Sequence, residues 1–512
     1  MKENRPKLLD SILSPHADVE VSLVAVNTSE TVSSGHEHKE TRRCWACKSG
    51  DRPCSMNPQE RLSLHARDAE NIIMSKLTHK NYMPIYERPH GATLRQRLRE
   101  PVHSLNIVVG PRQVGKSTLV KAVLQDFNPY ASYISAEPTG LESTSPIRDS
   151  LPNETYAIAH SDGIGRINED WLIHQWQAAR RRAANADGPF VLAIDEIQKV
   201  PRWSEIVKGL WDQDRARGLN MHVILLGSSP LLVHRGLSES LMGRFELLRM
   251  GHWAYPEMHT AFAMSLDEYI YFGGYPGPAK SGLWRDERRW RAYVAASLIE
   301  PSIERDIFEL NRVDRPALLK QLFWLGCDYS AQILSLDNMA QNLRERGEGE
   351  EAHTGTVAKY LDLLGKAGLL AGLQKFSGSM LRQRTSPPKL LALNNALMAV
   401  ASGYDFASAM ADRSFWGRMV ESAVGAHLYN SGGQDLLTYW RKGKLEVDFV
   451  VSRGRKVVAL EVKSGRASRP MPGLAAFCSN YPDCSRLVVG EGGVALVDFL
   501  SEPADYWLSN IQ

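Results

Sequence analysis

The stretch from Ser104 to Thr118 reads SLNIVVGPRQVGKST, and its residue types at this spacing suit the grip of a nucleoside triphosphate. Gly110 and Gly115 frame Pro111, Arg112, Gln113 and Val114 and lead into Lys116, Ser117 and Thr118, which completes a P-loop. Glycines at both ends let the backbone turn so that successive N–H groups converge on phosphate oxygens. Lys116 would reach the β- and γ-phosphates of ATP, and the Ser117 hydroxyl would ligate Mg²⁺. The helical run after it aims a positive N-terminal end at the same phosphates. Further on, Phe190 to Glu196 (FVLAIDE) is an apolar run ending in two carboxylates. Asp195 would hold Mg²⁺ through water and Glu196 would polarise the attacking water; the bland alternative is a buried strand with solvated acids at its end. A third run, His222 to Leu226, ends in Gly227-Ser228-Ser229. There Ser228 has a γ-phosphate-sensing role or only turn chemistry. Arg244, in SESLMGRFELL, is the candidate for neutralising transition-state charge, in its own subunit or in a neighbour's.

A second constellation lies near the C-terminus. Glu421 sits in a helical pattern, Phe415 to Leu428. Leu445 to Val451 (LEVDFVV) alternates, with Val447 and Phe449 on one face and Glu446 and Asp448 on the other. A turn leads to Val457–Lys463 (VVALEVK), where Glu461 and Lys463 share a face. A hairpin brings Asp448, Glu461 and Lys463 to one sheet edge. The two carboxylates would bind a divalent cation, and the lysine would activate water or stabilise a phosphorane-like transition state. Glu … Asp … Glu-x-Lys is the active-site pattern of PD-(D/E)xK nucleases, although Glu-x-Lys alone fits any exposed strand.

These side chains need elements to carry them. The apolar runs alternate with helical ones such as Glu169 to Ala186, so an α/β fold with a parallel sheet covered on both faces is expected. Arg180-Arg181-Arg182 reads as the solvated face of that helix. Residues 251–314 read as a helical lid or connector interrupted by Gly273-Gly274-Tyr275-Pro276-Gly277. Residues 315–395 read as a winged helix. Its helices are Pro316 to Cys327, Leu336 to Leu343 and a run from Thr354, taken as the N-cap; its wing strands lie in Gly368–Phe376 and Lys389–Leu393. Lys359, Lys366, Lys375, Arg382 and Arg384 would face phosphates or form ordinary surface charge.

The chain has 512 residues, 43% hydrophobic and 23% charged, with net charge +3. That length implies roughly three or four domains. The charge balance carries no global nucleic-acid signature, so DNA contact would be a local patch. No apolar run reaches the length of a membrane span, and MKENRPKLLD lacks a signal-peptide core. Six cysteines form no disulfide framework in a chain this long, which points to a reducing, cytoplasmic setting. Residues 1–60 are polar and read as a largely disordered extension, in which Cys44, Cys47 and Cys54 are exposed reduced thiols. The alternative there is Zn²⁺ on the three thiols with a histidine, but the second half of a zinc pattern is missing. The remaining boundaries are 61–250 for the ATPase core and 396–512 for the nuclease-like domain.

In order, GPRQVGKST, LAIDEIQKV, LLGSSP with SLMGRF, YFGGYP, SIERDI, GRMVESAV, YWRKGKLEVDFVV and ALEVKSG resemble the prokaryotic AAA-type ATPases that carry a DUF4143 C-terminal region. The resemblance spans roughly residues 80 to 480. It implies a P-loop AAA+ ATPase core with a helical lid, fused to a winged helix and a C-terminal restriction-endonuclease-like α/β domain. It carries Lys116, Ser117, Asp195 and Glu196 as nucleotide and Mg²⁺ residues, and Glu421, Asp448, Glu461 and Lys463 as nuclease-like positions. One departure stands out: Asn394-Asn395-Ala396-Leu397 replaces the family's Asp-x-Gly-Leu, with loss of a carboxylate and a glycine. The leading expectation is an ATP-dependent, DNA-associated protein whose nucleotide state controls the nuclease-like domain. Its rival is an ATP-switched module that grips DNA or protein without cutting, with the winged helix as a protein contact. A remodelling motor, with Arg244 acting in trans in a homo-oligomer, is the third reading.

Overall fold

The computed structural model describes residues 86–137, 167–227, 240–308, 313–345, 352–377, 385–433, 436–465 and 471–511. Cys44, Cys47, Cys54, Ser228, Arg382 and Arg384 lie outside the described residues, and with them the zinc and sensor expectations.

Helix α1 (His90–Arg99) precedes β1 (Leu105–Val109), which runs into the P-loop and α2 (Lys116–Leu124). Then come β2 (Ala131–Ser135), α3 (Glu169–Ala184), β3 (Phe190–Asp195), α4 (Trp203–Ala216), β4 (Met221–Gly227) and β5 (Phe245–Arg249). The strands form one parallel sheet in the order β2-β3-β4-β1-β5. Strands β1, β3 and β4 are buried along their whole length, which is why they read as largely apolar runs, interrupted by the buried Asn106 and His222. Side chains alternate between the faces. Ile107 and Val109 pack with Leu172, Trp176, Val207 and Trp211 of α3 and α4. Val108 packs on the other face with Leu94 and Leu98 of α1 and Val120 and Val123 of α2.

Within α3 the basic run departs in part from the solvated-face expectation: Arg181 is exposed, but its two neighbours are held against other elements. Arg180 is buried, and its Nε donates to Asp214 at 2.6 Å, while Trp176 Nε1 donates to the same carboxylate at 2.7 Å. Arg182 reaches back to Ser132 of β2. Arg180 fastens α3 to α4; losing one partner of such a buried pair costs about 3–5 kcal/mol. Two of the three arginines of α1 are also taken up in ion pairs, Arg95 with Glu87 and Asp126, and Arg97 with Glu246.

From Trp253 onward a single hydrophobic core continues to Leu508. It gathers α5 (Tyr255–Phe262), α6 (Leu266–Phe272), α7 (Pro276–Lys280), α8 (Glu287–Tyr293) and α9 (Glu300–Ile303). Next are α10 (Pro316–Asp328), α11 (Leu336–Glu345) and α12 (Thr354–Lys366), then the antiparallel pair β6 (Leu370–Leu373) and β7 (Lys389–Ala392). The N-cap of α12 is His353 without a side-chain bond, one residue earlier than the expected Thr354. Helices α13 (Asn395–Ser402), α14 (Phe406–Ala411) and α15 (Arg413–Leu428) lead to a second sheet.

That sheet holds β8 (Leu437–Lys442), β9 (Leu445–Arg453), β10 (Lys456–Lys463) and β11 (Cys484–Gly490), with α16 (Pro472–Asn480) before β11. Its order is β11-β10-β9-β8, antiparallel except for the parallel pair β10 and β11. One face joins the large core; the other is covered by α16 through Leu474 and Phe477. Among the described residues Cys478 of α16 and Cys484 of β11 are placed as a bonded pair with Cα atoms 5.8 Å apart, where reduced thiols were expected. Beyond β6 the chain runs along β8: Phe376 N donates to Tyr439 O at 2.6 Å, and Tyr439 N to Gln374 O at 3.1 Å. The hairpin and the second sheet are thus hydrogen-bonded to each other. Among the described residues no helix is long and apolar enough to cross a membrane.

Candidate functional site

The parallel register sets the first site. Val109 pairs with Gly227 and with Arg249, so the P-loop and the end of β4 emerge at one edge, and Asp195 ends β3 on the same side. A side chain on Gly110 would collide with the Met250 carbonyl, so the loop needs a residue without a Cβ to leave the sheet there. Gln113 and Gly115 both have positive φ, 58° and 89°, and their turn opens the first turn of α2 toward the loop. Lys116 is buried, its ammonium donating to Gly110 O at 2.8 Å and Pro111 O at 2.7 Å. Behind the loop, Val114 O accepts from Trp253 Nε1 at 2.9 Å and from Arg88 at 3.3 Å. Arg88 is itself paired with the buried Glu257 at 2.8 Å.

Ser117 Oγ donates to Asp195 Oδ2 at 2.6 Å, the contact that brings the P-loop and the end of β3 together. Two further donors hold the Asp195 carboxylate: Glu196 N at 2.9 Å on Oδ1 and the Tyr133 hydroxyl on Oδ2. Burial, then the neighbouring Asp195, pushes the Tyr133 hydroxyl pKa well up, which keeps it a donor. Glu196 has a left-handed backbone, φ 52°, and its carboxylate accepts from Gln198. A cation, a hydroxyl and two carboxylates at the N-terminal end of a helix fit a nucleoside triphosphate with Mg²⁺. Tyr133 escaped the sequence reading; its signal was only its place on the strand paired with β3, where Ile134 and Ser135 lie opposite Ile194 and Asp195. Asp195→Ala is expected to weaken Mg²⁺-dependent ATP binding by about ten- to a hundredfold, the equivalent of about 1.5–3 kcal/mol for bonds to a charged group. Calorimetry with and without Mg²⁺ checks it; metal-free affinity should not change.

Arg244 stands elsewhere. Leu105, the first residue of β1, pairs with Phe245, and Leu105 N donates to Arg244 O at 2.8 Å. Arg244 therefore lies at the edge of the sheet opposite the P-loop, a strand length of about 17 Å away. Its guanidinium is paired with Asp212 at 2.8 Å. The role in its own subunit is corrected by this register, since the side chain cannot span the sheet.

The C-terminal residues do come together. Asp448 Oδ2 on β9 accepts from Val462 N at 2.8 Å, and Lys463 Nζ on β10 donates to Glu461 Oε1 at 2.6 Å. Two residues absent from the expected set join them. Lys389 of β7 is fully buried, its ammonium 2.6 Å from Glu421 Oε1, 3.2 Å from Glu446 Oε1 and 3.9 Å from Asp448 Oδ1. It also donates to Asp448 O at 3.2 Å and lies 5.0 Å from the Phe449 ring centre. Burial alone would lower the Lys389 pKa, but Glu421, Asp448 and Glu446 outweigh it and hold the ammonium charged. Burial pushes the Glu421 carboxyl up to about 7, against the pull of Lys389. Burial and then Asp448 raise Glu461. Among the described residues no group of three or more acidic, His or Cys side chains is placed to share a metal ion. The metal-ligand expectation for Asp448 and Glu461 does not fit this arrangement: one is turned between Val462 N and an ammonium, the other is closed on Lys463.

A polar junction lies between the sites. His252 Nε2 bonds Gly368 O at 2.9 Å and its Nδ1 lies 3.2 Å from Asn394 Nδ2. Asn394 Oδ1 accepts from Gly274 N and from Ala396 N, both at 3.2 Å, so the asparagine at the position of the family's Asp caps α13. A side chain on Gly368 would collide with Pro111 of the P-loop.

Residues 102–259 match the family model of an AAA domain. Residues 264–408 match a domain of unknown function, DUF8612, and residues 416–499 another, DUF4143. The chain thus carries an AAA domain, of the kind that uses nucleotide and Mg²⁺, with a DUF4143 region at its C-terminal end. Among solved structures, the chain is similar to the Aeropyrum pernix ORC1 protein in complex with DNA at 11% identity, covering 65% of this chain and 96% of that one, TM-score 0.27. A Thermotoga maritima RuvB variant matches at 17% identity, over 55% and 86% of the two chains, TM-score 0.28. Drosophila ORC bound to DNA matches at 14% identity, over 58% and 89%, TM-score 0.23. No curated protein matches the chain.

Proposed function

We propose that this protein binds and hydrolyses ATP, and that its nucleotide state controls a DNA-associated C-terminal region of nuclease-like shape. The observation that carries the ATPase reading is the 2.6 Å bond from Ser117 to Asp195, with Glu196 next in the chain. Lys116 would hold the β- and γ-phosphates, Ser117 and Asp195 the Mg²⁺, and Glu196 would take the proton of the attacking water. Control is supported by contacts between the P-loop and residues beyond the ATPase sheet: Pro111 against Gly368, Gln113 Oε1 accepting from Tyr293 OH at 3.1 Å, and Val114 O on Trp253. Residues 251–314 are read as the lid, 315–395 as the winged helix, and 396–512 as the nuclease-like domain, all on the continuous core. DNA contact rests on the resemblance and on α12, whose exposed face carries Lys359 and a Lys366 paired with Asp362 at 2.7 Å. Arg244, at the far edge of the sheet, would serve a neighbouring copy's phosphates in a homo-oligomer.

Lys389 favours a second reading of the C-terminal region, in which the nuclease shape grips DNA or protein without cutting. The test is one purified protein in two assays. Mg²⁺-dependent ATP turnover is expected, and its absence would end the ATPase reading. Cleavage of duplex, single-stranded or branched DNA with ATP and Mg²⁺ or Mn²⁺, lost in Asp448→Ala and Lys463→Ala, would restore the cutting form. We expect binding that falls steeply with salt and no cleavage.

A further inference from the structure

A divalent ion at the nuclease-like position would need open carboxylate oxygens facing one point. In this chain the carboxylates of two elements already face one cation. Glu421 comes from α15 and Glu446 and Asp448 from β9, and the Lys389 ammonium reaches all three within 2.6–3.9 Å. This lysine is enclosed by the core, 0% exposed, and its strand is held on both sides of it: before it, Leu334 N donates to Pro388 O at 3.1 Å. Ala331 N donates to Leu390 O at 2.8 Å, and Leu390 N to Gln332 O at 2.9 Å. Ala392 N donates to Ser330 Oγ at 2.9 Å, and that hydroxyl is 2.8 Å from Ser422 Oγ on α15. The stem of Lys389 is fully buried, whereas Lys463 is half-exposed and closed on Glu461 alone. A second cation entering beside Asp448 Oδ1 would meet a like charge at close range in a site shielded from water, where repulsion is strong.

We infer that the Lys389 ammonium is the resident cation of this carboxylate cluster and stands where a divalent ion would otherwise be held, so the wild-type cluster takes up no Mg²⁺ or Mn²⁺. The inference rests on the non-cutting reading and gives its cause. It also makes the cluster a structural clasp, in which the ammonium ties β7, and with it the hairpin that follows the Gly368 turn beside the P-loop, to α15 and the second sheet. The carboxylates that a nuclease would spend on metal serve here to join the two halves of the chain.

The test is Mn²⁺ binding by electron paramagnetic resonance on the nucleotide-free full-length protein. Wild type and Asp448→Asn should bind the same amount of Mn²⁺. Lys389→Met, which keeps the stem and removes the charge, should gain about one Mn²⁺ per chain, since the freed oxygens are hard ligands for such an ion. Adding Asp448→Asn to that variant should remove the gain. If wild type binds an Mn²⁺ that Asp448→Asn loses, the inference is overturned. A folded Lys389→Met protein without added Mn²⁺ overturns it as well. Should Lys389→Met not fold, judged by its thermal melt, the comparison of wild type with Asp448→Asn decides alone. The DNA cleavage assay separates the two ideas: an Asp448-dependent ion without cleavage ends this inference and leaves the non-cutting reading standing.

Discussion

Replacing Lys116 by alanine is expected to abolish measurable ATP binding in a protein that still folds. The ammonium is buried at the base of the loop and donates to Gly110 O and Pro111 O, 2.8 and 2.7 Å away. Those carbonyls hold it where phosphate oxygens would compete for it, and charged donors are the stronger partners. Two charge-assisted bonds lost at about 1.5–3 kcal/mol each correspond to about a hundred- to ten-thousandfold in Kd. The fold should survive because α2 is anchored by Leu119, Val120, Val123 and Leu124, none of which touches solvent appreciably. Calorimetric titration with ATP, beside a thermal melt, is the measurement. A folded variant with wild-type affinity would mean that the phosphates are held by something other than this loop.

How much could be read from the sequence depends on how local each signal is. The central strands were legible because burial on both faces favours apolar residues: 107–109 of β1, 190–194 of β3 and 223–226 of β4 stand out as apolar runs with their chemistry at the ends, even though Asn106 and His222 are buried in the same sheet. Strand alternation sets Asp448 of β9 and Glu461 and Lys463 of β10 close together, as the bonds of Asp448 to Val462 N and of Lys463 to Glu461 show. Lys389 was not legible, because its partners Glu446 and Asp448 lie 57 and 59 residues further on and nothing nearby marks a lysine at the head of LLAL as buried. Arg180 is a different failure. Its helical spacing from Leu172, Trp176 and Ala183 already put it on the inner face, but the run of three arginines drew the eye to solvent. Arg244 needed the register of β5 against β1, which no pattern in SLMGRFELL reveals. Asn394 shows how a departure from a family pattern is accommodated. The helix cap that an aspartate would form is kept, since either side chain accepts from the backbone N–H, and the added amide reaches His252.

Glu196→Gln should separate binding from turnover. The carboxylate lies directly after Asp195, whose Oδ1 accepts from Glu196 N at 2.9 Å, so the backbone that positions it also orients the acid proposed to hold Mg²⁺. Its left-handed conformation, φ 52°, aims the side chain off the end of β3, and a side chain of equal length leaves that geometry alone. The glutamine keeps the shape and a hydrogen-bond acceptor but cannot take a proton from water. General-base catalysis contributes about 10²- to 10⁴-fold, so steady-state ATP turnover is expected to fall by that factor. ATP and Mg²⁺ affinity should stay within about threefold of wild type, since neither Lys116, Ser117 nor Asp195 is touched, and uniform binding is separable from transition-state stabilisation. Phosphate release under saturating ATP reads the first quantity, and calorimetry the second. Undiminished turnover in a properly folded Glu196→Gln protein would transfer the base to another residue. Loss of binding together with turnover would show that Glu196 belongs to the metal grip beside Asp195, and the division of labour between the two carboxylates would have to be redrawn.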